Sequence, residues 1–289
     1  MKTCTVKSVY EAICRMRGWD PLTATVSAAE MTNIADMINE RMKTVWEQAF
    51  WPEIMAVEER QYRATWDAGL NYATGDEVYH VATDGTENYY ISLQDSNVGK
   101  NPDVETTWWE VVGDNFLRTI DFQQEGENEI GAVDLEDCIF DNDPRLNPTV
   151  GALDNISFYG EAILVATDTA PYVPWLKYRP ITPEFSLTAW AGATAYAIYD
   201  VCYLASTGTS YRALQSSTNK SPDSETAYWK PIDFPSFLRT YIKYAVHADW
   251  LIDMEAKGRM MARADEELSR LEDSLIDQQG VVRRVKFLK

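Results

Sequence analysis

Residues 72–112, YATGDEVYHVATDGTENYYISLQDSNVGKNPDVETTWWEVV, are echoed by residues 196–232, YAIYDVCYLASTGTSYRALQSSTNKSPDSETAYWKPI. Glu77-Val78-Tyr79 is set against Asp200-Val201-Cys202, Gly85 against Gly208 and Tyr90 against Tyr211. Asn101-Pro102-Asp103 falls on Ser221-Pro222-Asp223 and Trp109 on Trp229, while Trp66 and Trp190 precede the two stretches at similar distances. Short Tyr/Val runs punctuated by Gly, Asp and Asn read as small strands and turns. Each stretch has room for only a few strands around two or three aromatic rings, so each is expected to lean on a neighbour. The expected module cores are Tyr90 with Trp109, and Tyr211 with Trp229. On a strand, Trp108 points opposite to Trp109 and is the ring expected at the surface, with Tyr228 as its counterpart. The second copy lacks the Gly75-Asp76 pair.

Outward from the repeats, both ends of the chain turn helical. Residues 5–17 place Val6, Val9, Tyr10, Ile13 and Cys14 near one face, with Gly18 as a stop. Ser27 is followed three residues on by Glu30, the spacing of a capping box. Residues 28–50 then run without Gly or Pro while Met31, Ile34, Ala35, Ile38, Met42, Val45 and Trp46 recur at helical spacing. After Pro52, residues 54–66 are expected to continue as a third helix. From Pro235 to Gln279 no further proline occurs, and Gly280 is placed to end a helix. Unbroken, that helix would reach roughly 65 Å, so either Gly258 breaks it or it packs along partner chains.

The expected fold class is therefore α+β: a helical bundle with a long C-terminal helix, plus two small β-rich inserted modules. The expected segments are an N-terminal helical part (1–67), the first repeat (68–113), an acidic irregular and β segment (114–189), the second repeat (190–233), the long helix (234–280) and a basic tail (281–289).

Composition narrows the function classes. The chain has 289 residues with 45 acidic against 26 basic side chains, a net charge of −19, two His, 10 Trp and 16 Tyr. A hydrophobic share of 45% excludes a disordered acidic chain. Binding nucleic acid by neutralising its backbone needs a basic footprint, which the whole chain lacks. Four cysteines do not make a disulfide scaffold. No apolar run approaches membrane-spanning length, and the opening stretch is expected to be mature protein, not a signal peptide. Charge is uneven: residues 114–154 hold eleven acids against Arg118 and Arg145, whereas 281–289 hold four basic residues and no acid.

The search for catalytic chemistry finds little. His80 and His247 share no metal-ligand spacing, and there is no nucleophile elbow or phosphate-cradling glycine loop. The cysteines read as isolated hydrophobic residues. Glu136 with Asp137 could be paired on paper, but a glycosidase dyad needs two acids held across a pocket. Glu125, Glu127, Glu129, Asp141 and Asp143 could touch calcium without following the cadence of an EF-hand. No catalytic residue, metal or cofactor is expected, and the chain is not expected to be an enzyme.

The two repeats resemble small chitin- or cellulose-binding modules of the families five and twelve type. Trp66, Tyr72, Val78, Tyr90, Asn101, Pro102 and Trp109 fit that outline in the first copy, and Trp190, Tyr196, Val201, Tyr211, Pro222 and Trp229 in the second. The likeness implies Trp108 and Tyr228 as a glycan platform. The layout outside the repeats resembles the head-to-tail adaptor (connector) proteins of tailed bacteriophages, through the helices around capped Ser27, the strand at 173–186 and the C-terminal helix. That likeness implies a virion protein at the head–tail junction, assembled in the host cytoplasm. It implies a ring of about twelve copies that binds the portal protein and a tail or nozzle protein, with DNA passing through the lumen during genome ejection. An acidic lining would repel the DNA backbone, which makes 114–154 a candidate lumen or rim surface. The candidate portal-docking residues are Val281, Val282, Arg283, Arg284, Val285, Lys286, Phe287, Leu288 and Lys289, a basic apolar tail suited to an acidic groove. The alternative is a carbohydrate-binding, tail-associated protein that contacts host-surface glycan.

Overall fold

The computed structural model describes residues 2–19, 26–112, 118–122, 129–134, 137–146, 151–153, 156–159, 162–166, 173–251 and 254–287. The chain divides into two compact units, Met1–Ile54 with Thr182–Lys289, and Met55–Ile181.

The helices of the described residues all lie in the first unit. Helix α1 (Val6–Met16) starts where Thr5 accepts the Ser8 N–H, and buries Val6, Val9, Ile13 and Cys14. Helix α2 (Ala28–Gln48) carries a complete capping box: Glu30 donates its N–H to the Ser27 hydroxyl, and the Ser27 N–H bonds the Glu30 carboxylate. Its buried stripe of Ile34, Ala35, Ile38, Met42, Val45 and Trp46 joins Val6, Val9 and Ile13 of α1 in one apolar core. Beyond α2, Trp51 is held by its indole N–H to the Val45 carbonyl at 2.8 Å. The N-terminal strand β1 (Thr3–Cys4) pairs antiparallel with β19 (Phe234–Pro235), which leads through one 3-10 turn into α3 (Arg239–Trp250). Arg41 of α2 bonds Asp249 of α3 twice, each at 2.6 Å. Helix α4 (Met254–Phe287) lays Leu268, Leu271 and Leu275 against the same core.

The second unit contains strands and no α-helix among its described residues. Strand β13 (Trp175–Pro180) lies between β2 (Ala56–Glu59) and β10 (Ile139–Phe140), with β9 (Ile130–Ala132) paired to its far end. A second sheet runs β11 (Ile156–Tyr159), β12 (Ala162–Val165), β8 (Thr119–Asp121). Ile120, Ile130, Cys138, Ile139, Ile163, Val165, Leu176 and Tyr178 fill the core. Within it Arg60 is wholly buried, paired with Glu58, while Tyr178 donates its hydroxyl to Glu58 at 2.8 Å. Burial pushes the Tyr178 hydroxyl up to about 12.

These elements overturn the expected fold class. The chain is not chiefly a helical bundle: among the described residues it is β-rich, with many small sheets and four α-helices, of which the C-terminal α4 is the longest. The proposed third helix at 54–66 is replaced by β2. Pro52 removes a helix N–H, and residues 56–59 pair antiparallel with 175–178 on β13, so a tertiary partner overrides local propensity. The run expected from Pro235 to Gln279 is divided at Leu251, whose backbone is extended (φ −81°, ψ 133°). Neither Gly258 nor Gly280 interrupts α4.

Candidate functional site: the two repeats

In the first repeat, β4 (Glu77–Val81), β5 (Glu87–Ser92) and β7 (Trp109–Val111) form a three-stranded sheet beside the small pair β3 (Asn71–Tyr72) and β6 (Asn97–Val98). The second reproduces it with β15 (Val201–Leu204), β16 (Thr209–Ala213) and β18 (Trp229–Ile232) beside β14 (Ala195–Tyr196) and β17 (Ser217–Thr218). The shared bonds fix the correspondence. Trp66 and Trp190 each donate a backbone N–H at 2.8 Å, to the carbonyls of Tyr79 and Tyr203. Ala73 bonds the Asp76 carboxylate and Ala197 that of Asp200, both at 2.7 Å. The indole N–H of Trp109 bonds the Lys100 carbonyl at 2.8 Å, and that of Trp229 the Lys220 carbonyl at 3.0 Å.

This register corrects the sequence alignment by one residue. Val78 faces Tyr90 across the strands just as Cys202 faces Tyr211, so Tyr79 matches Tyr203 and Asp76 matches Asp200. The second copy therefore keeps the aspartate. It differs at Gly75, whose place (φ +95°) is taken by Tyr199 (φ +72°). A bulky residue in that left-handed region is strained by roughly 1–2 kcal/mol.

Strand alternation gives each repeat two buried faces. One face is private: Tyr72, Val78, Tyr90 and Trp109 in the first repeat, and Cys202, Tyr211, Ala213 and Trp229 in the second. The other face enters the core of the surrounding unit. Tyr79 and Tyr89 lie in the core of the second unit, and Tyr203 in that of the first. The Tyr89 hydroxyl accepts the backbone N–H of Tyr62 at 3.1 Å; at the equivalent place the Ser210 hydroxyl accepts that of Ser186 at 3.2 Å. Sequence reading missed these anchors. Their signal is the adjacent pair Val78-Tyr79, repeated as Cys202-Tyr203, in which two neighbouring large residues on one strand must fill opposite faces.

The expected core residues Tyr90, Trp109, Tyr211 and Trp229 are all buried. Trp108 and Tyr228 sit in the turns before β7 and β18, not on the strands, and both are half-buried against the private cores. Lys100 lies 5.3 Å from the Trp108 ring centre and Lys220 lies 4.9 Å from that of Tyr228, each also paired with a glutamate, Glu105 or Glu225. The ammonium groups cover ring faces that a sugar would use.

Elsewhere, chemistry-bearing groups are enclosed. All four cysteines are free, and burial pushes the thiols of Cys138 and Cys202 up to about 12, away from the thiolate form a nucleophile needs. His80 lies 3.3 Å from Asp103, which also binds the Tyr90 hydroxyl. His247 is buried on α3, and its burial, with Arg17 nearby, lowers its proton affinity. Among the described residues no group of three or more His, Cys, Asp or Glu could hold a metal ion. Glu125, Glu127 and Glu136 lie outside the described residues. A shallow recess between Trp51, Phe237, Leu271 and Leu275 includes Glu53 but no second acid. No described helix is long and apolar enough to cross a membrane. Of the candidate docking tail, residues 281–287 continue the α4 backbone; their side chains, and Leu288 and Lys289 entirely, lie outside the description. Comparison of the chain with protein-family models, with curated proteins and with solved structures finds no match.

Proposed function

We propose that the chain is a structural protein of a tailed-bacteriophage virion. It is a head-to-tail adaptor that forms a ring of its own copies, joins portal to tail or nozzle protein, and lets DNA pass during ejection. The observation that carries this reading is how the first unit is closed. One apolar core joins α1 and α2 from the beginning of the chain to α3 and α4 from its end, and residues 55–181 form a separate unit with a core of its own. Such a chain keeps an assembly core intact while presenting an additional body, the arrangement expected of a decorated ring subunit. In this reading the acidic segment 114–154 belongs to a lumen or rim that repels the DNA backbone, and residues 281–289 dock on the portal.

Electron microscopy of purified virions, or of the protein mixed with its portal, tests the proposal. A ring seated between portal and tail is the expected image. A protein that stays monomeric and has no affinity for portal overturns it. The carbohydrate reading has weaker support, because Lys100 and Lys220 lie over the rings of Trp108 and Tyr228. Titration with chitin or cellulose fragments, comparing wild type with Trp108→Ala, is its test; tight binding lost in the variant would favour it.

A further inference from the structure

We draw no further inference here: the strongest candidate, the apolar corner of Ile198, Tyr199 and Leu214 on the second repeat, where Tyr199 keeps a left-handed backbone (φ +72°) and is 59% exposed, is an exposed face, and nothing among the described residues shows what covers it.

Discussion

His247 is buried on α3 with Arg17 nearby, and both burial and that guanidinium disfavour its charged form. The folded state therefore binds this proton less readily than the unfolded state. Stability contributed by the neutral imidazole is full above the ordinary histidine range, near pH 6.5, and falls as pH drops toward the lower native value. Denaturant midpoints from pH 7.5 to 5 should decline more steeply for wild type than for His247→Leu; parallel curves would refute the assignment. Gly131 faces a different constraint. A Cβ there would lie 2.8 Å from the Pro180 carbonyl oxygen and 2.9 Å from the Ile181 nitrogen, both backbone atoms that cannot step aside. Gly131→Ala should destabilise by about 1–3 kcal/mol in urea unfolding. Nothing in the sequence marks Gly131, because the contact comes from a strand far along the chain. By contrast Trp109 and Trp229 were legible as core residues, since two rings at matched places in two repeats rarely both serve a surface.

At the scale of elements, the first two helices could be read from the sequence because the signals are local: a Ser27–Glu30 box and apolar residues at helical spacing. Strand β2 could not, because its partner β13 lies more than a hundred residues away. The repeats were found, but their register was misjudged by one position. The strings Glu-Val-Tyr and Asp-Val-Cys look alike, whereas the hydrogen bonds align Val78 with Cys202. On a strand a slip of one exchanges the two faces, and that is why the anchoring roles of Tyr79 and Tyr203 stayed hidden. The corrected register changes what deletion should do. Tyr79 and Tyr89 of the first repeat are part of the core of the second unit, so removing 68–113 takes out part of that core. The deletion should yield a second unit that lacks a cooperative transition, read by near-ultraviolet circular dichroism. A sharp, wild-type-like transition would show that the repeat merely rests on its host.

For the whole molecule, the two units have separate apolar cores, and each contains one repeat. Calorimetry should resolve two transitions. Trp109→Ala should lower one and Trp229→Ala the other, each by about 3–5 kcal/mol; if both variants shift a single peak, the units unfold as one body. The discontinuous first unit has a further consequence during synthesis. Its opening 54 residues carry an apolar stripe whose covering helices, α3 and α4, begin only after Thr182. At roughly 5–20 residues per second, a ribosome takes on the order of ten seconds to reach them. For that interval α1 and α2 emerge with their greasy side bare, while the intervening unit can already close on itself. The nascent chain is therefore a natural client for a holding chaperone, and its yield should be more sensitive to translation speed than that of a chain whose units are continuous.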